Sequence, residues 1–558
     1  MDFSSLTYFI FLSKYLIFWI IFYLLGRSFL LIINYFLKSE RRLDEVLIIN
    51  TPIHFFYPIT GLFLLGNVLF ISHFFLPLKS PVLYIIFFIL LVPNFIEKIK
   101  IPSSDNKFFN FFYYIFVPII LLFSSYDINF HYDAGFYHLN HQLWLRESNQ
   151  IIGMVNIFWP FGTDSIYEYI SAFLWFDQSF ILLHFINLIF IVCFYGFSAY
   201  HLFISKDSLL KYPSLFIMIF SILDNFGIDG GRNGFFYIQS VTAQDLPVAI
   251  VFYLVSLMLI QALSKNSFSK IEYHLFLIFT VFLIQIKLSV VFVGILLIIH
   301  VMNSIKKKHT TISILLKNTY VYLFLFTLWT IKSVLVSGCL IFPLNITCFN
   351  NIDWYIENST KKYERISTSY SMAYDFQEPV AVWFSSIIKD DIRGTVFLNF
   401  LASLLIILLL RKVLFIKKDK EVFVKKITNY YIFLNLAYFI FAGPTPRYGI
   451  GLIMFSIAVL GINLKLKNYE NLEKKLFIPI VILSLLSVPR LASYRSFDFN
   501  FNPSLDVPDV AYVNTFKNWV EPEIGDKCWI NIDCTVDTGE IRILDDGFFK
   551  VVSRNTQS

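Results

Sequence analysis

Between Asp127 and Asp177 the chain carries the residue types that acid–base chemistry uses. His131-Tyr132-Asp133-Ala134-Gly135-Phe136-Tyr137-His138 is followed by His141, Arg146, Glu147, Asp164 and Glu168, with Trp144, Trp159 and Trp175 among them. A carboxylate held at an apolar wall rather than in open water is suited to a general base, and Tyr132, Phe136 and Tyr137 flank Asp133. His131 and His138 are its neighbouring hydrogen-bond donors. His131, Asp133 and His138 also form a candidate ligand set for a divalent metal, since imidazole and carboxylate suit such ions. No HExxH-type spacing accompanies them, and histidines that simply bond phosphate or aromatic neighbours fit the same residues. From Asp133 onward, Tyr137, His141, Trp144 and Ser148 recur at helical steps, which predicts a short interfacial helix with an aromatic and imidazole face.

Three later stretches add cations. Arg232 lies in Asp229-Gly230-Gly231-Arg232-Asn233-Gly234, where the glycines let backbone approach a ligand and the guanidinium could grip a phosphate bidentately. A plain flexible turn fits that stretch equally well. Lys332 stands near the end of an apolar run, where it either serves the site or snorkels to the interface. Arg447 lies in Gly443-Pro444-Thr445-Pro446-Arg447-Tyr448-Gly449, a turn whose prolines restrict the backbone on which it is mounted.

The elements that position these residues are membrane spans. Hydrophobic residues make up 57% of the chain and charged residues 15%, which excludes an ordinary soluble protein. Apolar runs of crossing length predict an all-α polytopic membrane protein of about fourteen transmembrane helices, give or take two. The first run, Leu6 to Phe36, lacks the basic region and cleavage site of a signal peptide and is expected to be a retained helix. The runs meeting at Lys287 are expected to be two spans or one bent, re-entrant helix.

The net charge of +6 comes from short cation clusters between apolar runs, as at Lys38/Arg41/Arg42, Lys98/Lys100/Lys107, Lys306/Lys307/Lys308 and 411–426. Such clusters flank membrane spans on the cytoplasmic side, so no nucleic-acid partner is expected. Both termini then fall on the opposite side, with the loops 127–177, 227–240, 337–393 and 443–448. The expected division is a transmembrane domain over 1–489 and a tail over 490–558 with a small β-rich appendage. Cys339 with Cys348, and Cys528 with Cys534, lie in the segments placed outside, where disulfides are permitted; spacing alone leaves the pairing open. The short loop between Cys528 and Cys534 favours a disulfide there.

Tyr132 to His138, Ser337 to Pro343 with Asp353-Trp354, Pro444 to Gly449, and Cys528-Trp529 with Cys534 together resemble a family of polytopic bacterial inner-membrane proteins associated with surface-polysaccharide gene clusters. The resemblance runs from about residue 126 to 550. That family is in turn similar to the GT-C glycosyltransferases, which place an essential carboxylate on an extracytoplasmic loop and take sugar from a polyprenyl-phosphate donor. Their catalytic loop follows the first span, whereas here it follows the fourth. The resemblance implies that Asp133 is the motif carboxylate and Arg447 the late-turn arginine. The chemistry of such a transfer fits the other residues: His131 and His138 as hydrogen-bond donors at the catalytic carboxylate, Arg232 and Lys332 with Arg447 on the phosphate, and Asp164, Glu168 and Trp159 at the substrate.

The leading expectation is a periplasmic-face glycosyltransferase of the inner membrane, with a glycan or lipid-linked acceptor. The alternatives are an O-antigen or exopolysaccharide polymerase or ligase, and a transporter or flippase of lipid-linked glycan that does no chemistry. Transporters often show internal repeats; none is evident here, and the polar residues gather at one surface.

Overall fold

The computed structural model describes residues 5–38, 42–99, 104–123, 128–175, 180–205, 208–223, 240–265, 269–308, 311–369, 391–417, 422–442, 449–467, 505–515, 519–536, 541–545 and 549–554. Its helices are α1 Ser5–Phe36, α2 Tyr57–Ser72, α3 Pro81–Ile89, α4 Lys107–Phe111, α5 Val117–Phe123, α6 Leu139–Glu147, α7 Ile166–Phe173, α8 Ile181–Phe203, α9 Ser208–Leu223, α10 Asp245–Lys265, α11 Lys270–Ile286, α12 Val293–Lys306, α13 Ile312–Ser337, α14 Glu357–Ser369, α15 Asp391–Leu414, α16 Val422–Ala442 and α17 Ile450–Val459. The strands are short: β1 Leu47–Ile48, β2 Thr51–Pro52, β3 Asn129–Phe130, β4 Ile151–Ile152, β5 Ser240–Val241, β6 Phe415–Lys417, β7 Leu464–Leu466, β8 Tyr512–Asn514, β9 Val520–Pro522, β10 Ile541–Asp545 and β11 Lys550–Arg554.

The protein is mostly helical, and among the described residues five helices are long and apolar enough to cross a membrane: Phe9–Phe36, Ile53–Ser72, Ile181–Phe203, Asp245–Lys265 and Leu315–Ser337. Shorter apolar helices occupy Pro81–Phe95, Lys107–Ile119, Leu209–Ser221, Val293–Lys306 and Ile450–Val459. The expected count of about fourteen full spans is therefore not reproduced among the described residues. Hydropathy hides some breaks: the apolar stretch over residues 81–97 is a short helix, a turn and a 3-10 segment at Val92–Phe95, with Pro93 removing a helical donor. At Lys287 the backbone is extended, so α11 stops there and α12 begins after a second 3-10 turn. The run at 475–489 lies outside the described residues.

A helix apolar all round belongs in a core, and α10 is wholly buried along its apolar window, whereas only 33% of the α13 window is covered. The α1 and α2 backbones meet through two glycines. A Cβ on Gly26 would lie 1.7 Å from the Tyr57 carbonyl oxygen, and one on Gly61 2.3 Å from that of Phe22. Small residues permit this approach where no hydrophobic force drives helices together in lipid. Arg27, fully buried, is matched by Asp44 at 3.1 and 2.9 Å, and Tyr57 donates its hydroxyl to the same carboxylate at 3.0 Å. A buried charge persists only when paired in this way.

Contacts between connections tie distant parts of the chain together. Arg42 pairs with Glu97 at 2.9 Å, Ile49 in the β1–β2 turn donates its N–H to Glu272 at the start of α11, and β6 pairs antiparallel with β7. Leu78 donates its N–H to the Leu145 carbonyl, Lys79 pairs with Glu147, and Lys287 pairs with Asp245 at the start of α10.

The described tail packs on residues 128–175. Strand β11 pairs antiparallel with β10 and parallel with β4, so tail and 128–175 share one sheet. A second hydrophobic cluster seals them together, with Trp144, Phe158 and Phe161 against Trp519, Ile541 and Val552. Cys339 is bridged to Cys348 and Cys528 to Cys534.

Candidate functional site

Asp133 follows a strand whose position is fixed from elsewhere in the chain. β3 pairs parallel with β5, immediately before α10, and leads into His131. The chain then turns: Ala134 donates its N–H to the His131 carbonyl at 2.9 Å, and Asp133 donates its own to His131 Nδ1 at 3.2 Å. Asp133 Oδ2 lies 3.3 Å from the same nitrogen, and both side chains keep some access to solvent. Neutral His131 accepts the backbone N–H at Nδ1 and carries its proton on Nε2; the imidazolium form donates from Nδ1 toward the carboxylate instead.

Ala134–His138 forms a π-helical turn before α6, the wide turn often found at functional sites. Trp529 of the tail lies against it. The Trp529 backbone N–H donates to the Gly135 carbonyl at 3.0 Å, and a Cβ on Gly135 would come 2.7 Å from the indole. Tyr132 donates its hydroxyl to Asp526, and the Lys527 ammonium lies 4.7 Å from the Tyr132 ring centre. The expected interfacial helix thus exists as this turn plus α6, but its imidazole and indole face points inward, with His138, His141 and Trp144 all buried.

Glu168 sits in the first turn of α7, where Ser165 caps the helix by accepting the Tyr167 N–H. It is buried, and four groups converge on it and its partners. His138 Nδ1 lies 2.5 Å from Oε1, Gln244 donates to Oε1 at 2.5 Å, and Gln142 donates to Oε2 at 2.7 Å while accepting from Trp175 Nε1 at 2.8 Å. Burial pushes the Glu168 carboxyl up, yet His138, His141 and Gln142 outweigh it and hold it below the ordinary glutamate range. His141 stacks on Phe161 with ring centres 5.0 Å apart; burial is the main reason its pKa falls to about 4, so it is neutral at pH 7.

Asp164 and Lys332 make a second buried group. Asp164 occupies the left-handed region at φ 40° and accepts from the Tyr169 hydroxyl, while Trp329 Nε1 donates to its carbonyl at 3.3 Å. Burial raises its carboxyl pKa despite the opposing effects of Lys332 and Tyr169. Lys332 does not snorkel: it is fully buried on the inward side of α13. Its ammonium donates to the Phe70 carbonyl at 3.1 Å, lies 3.2 Å from His73 Nδ1, and contacts the faces of Phe70, Tyr169 and Phe74 at 4.3, 4.3 and 4.7 Å.

The expected set is therefore divided. His131 and Asp133 stay together at the rim, His138, His141 and Glu168 form one interior network, and Asp164 and Lys332 form another. Asp164, Glu168 and Lys332, expected on a phosphate, have their polar atoms turned into the protein. His138 Nδ1 faces Glu168 rather than Asp133, and among the described residues no group of three His, Cys, Asp or Glu side chains is placed to hold a metal. Trp159 stacks on Tyr363 of α14, ring centres 5.2 Å apart. Arg232 and Arg447 lie outside the described residues. Sequence reasoning overlooked Gln142, Gln244, Tyr169 and His73, and noted Trp529 only beside Cys528, with no role at the Asp133 turn.

A family model described as Domain of unknown function (DUF8201) matches residues 8–454. The chain belongs to the DUF8201 family. The matched stretch contains Asp133, both interior networks and the whole of α13, and stops before the tail that carries Trp529. No curated protein and no solved structure matches the chain.

Proposed function

We propose that this DUF8201 protein is a membrane glycosyltransferase that takes sugar from a polyprenyl-phosphate donor at the periplasmic face of a bacterial inner membrane, in surface-polysaccharide assembly or modification. A GT-C-like arrangement of spans and periplasmic termini belong to the same reading. The observation that carries it is Asp133. It is a partly exposed carboxylate with His131 at 3.3 Å, on a turn braced from within by His138–Glu168 and from outside by Trp529.

In this reading Asp133 removes the proton of an acceptor hydroxyl as that oxygen attacks the anomeric carbon. The bond from that carbon to the phosphate oxygen breaks, and polyprenyl phosphate leaves with the electron pair. Arg447 and Arg232 are assigned to the departing phosphate, where cations stabilise developing charge. Lys332 is not given that role, because its ammonium is enclosed by Phe70, Phe74 and Tyr169. The test is incubation of the purified protein with polyprenyl-phosphate sugars and an acceptor glycan; formation of a glycosidic bond supports the reading, and no product across a range of donors removes it.

One observation favours a second reading. Lys332, Tyr169 and Asp164 place ionisable groups inside an apolar bundle, as ion- or proton-coupled transporters do. Movement of a lipid-linked glycan across proteoliposomes without bond formation would support transport instead.

A further inference from the structure

The tail and α6 enclose an open cavity of about 890 Å³ beside the Asp133 turn. This lies within the roughly 300–1,000 Å³ typical of small-ligand sites. Its lining combines apolar residues, Ile530, Val507 and an edge of Trp529 among them, with the carboxylates of Glu147, Asp506 and Asp509. No lysine, arginine or histidine is among the described residues that line it. Trp529 is shared between this cavity and the catalytic turn: it borders the cavity while its indole covers Gly135, two positions from Asp133.

The lining selects an occupant by chemistry. Carboxylates repel a lipid phosphate, so the cavity is unsuited to the donor's charged linkage. A neutral sugar suits this lining, its hydroxyls donating to carboxylates and its C–H groups packing on half-buried Ile530 and Val507 and on exposed Pro508. Glu147 is already engaged by Lys79, whereas Asp509 has no hydrogen-bond or ion-pair partner among the described residues. Asp506 and Asp509 are exposed residues of the lining.

We infer that this cavity binds the neutral acceptor glycan and presents one of its hydroxyls toward the Asp133 turn. The inference rests on the transferase reading for the word acceptor. The binding itself is separable from it.

The experiment is saturation-transfer NMR on the full-length protein in detergent, with a panel of neutral methyl glycosides as probes and calcium chloride and inorganic phosphate as competitors. Wild type should transfer saturation to the ring protons of at least one glycoside, undiminished by phosphate. Asp506→Asn with Asp509→Asn should weaken that binding roughly tenfold or more, as expected for losing charge-assisted hydrogen bonds. Both aspartates are exposed, so the substitutions are not expected to disturb folding, and an unchanged melting midpoint verifies this. No transfer to any glycoside, equal binding by the double variant, or calcium binding at these aspartates without glycoside binding would overturn the inference. Glycoside binding without turnover would leave the cavity standing and remove the transferase reading. Turnover with binding indifferent to Asp506 and Asp509 would do the reverse.

Discussion

The indole of Trp529 covers Gly135 so closely that a single added methyl would lie 2.7 Å from the ring, and the Trp529 backbone N–H donates to the Gly135 carbonyl at 3.0 Å. The tail is thereby locked to the turn that begins at Asp133. Gly135→Ala should destabilise the protein by about 1–3 kcal/mol through overpacking. Trp529→Ala in the same chain should relieve most of that added cost. Melting midpoints of the two single variants and the double variant measure it, and additive losses would show that the two residues do not press on each other.

Glu168 is the centre of the interior network, with His138, Gln142 and Gln244 as partners. Glu168→Gln keeps its shape but turns an amide N–H₂ toward donors, so a loss of about 3 kcal/mol is expected, as for breaking a buried pair. The folded carboxyl is held below its ordinary range. Its stabilisation is therefore present above the unfolded glutamate pKa and fades as pH falls through the depressed folded value. The variant should lack this acid limb. A wild-type-like melting midpoint at pH 7 would contradict the account.

His141 gives a different pH window. Its folded pKa, lowered from 6.5 to about 4, means that the unfolded chain takes up the proton first as pH falls. Stability should therefore be unaffected above pH 7 and decline between about pH 6.5 and 4, by up to about 3 kcal/mol. His141→Phe keeps the stacking on Phe161 and should flatten that decline. Unfolding midpoints taken at intervals over the window decide it; parallel profiles for both proteins would assign the decline to other groups.

Lys332 and Asp164 are coupled through Tyr169, whose ring faces the ammonium and whose hydroxyl bonds the carboxylate. Lys332→Met and Asp164→Asn should each cost about 2–4 kcal/mol, and the double variant should cost about 1 kcal/mol or more less than their sum. Losses that simply add would show that the two charges are sensed independently.

Hydropathy made the helical membrane character legible, and the polar density around Asp133 drew attention to the segment that closes against the tail. The pairing of His131 with Asp133 was within reach because the two are separated only by Tyr132. Glu168 was not, since its partners come from α6 and from Gln244, which β3–β5 pairing brings alongside. The inward direction of Lys332 depends on Phe70 and Phe74 near the end of α2 and on Tyr169 in α7, none of them near it in sequence. The break at Pro93 was hidden because apolar content continues across it although the helix does not, whereas Lys287 itself marked the place where two runs meet.

Product formation from a polyprenyl-phosphate sugar by wild type and Asp133→Asn, purified in the same detergent, bears most directly on the catalytic claim. Asn keeps the shape of the side chain but removes the basic oxygen, so turnover should fall roughly 10²- to 10⁴-fold, as for loss of a general base. Expression and melting midpoint should change little, because the carboxylate is partly exposed. Equal turnover by the two proteins would contradict the assignment of Asp133 as the base.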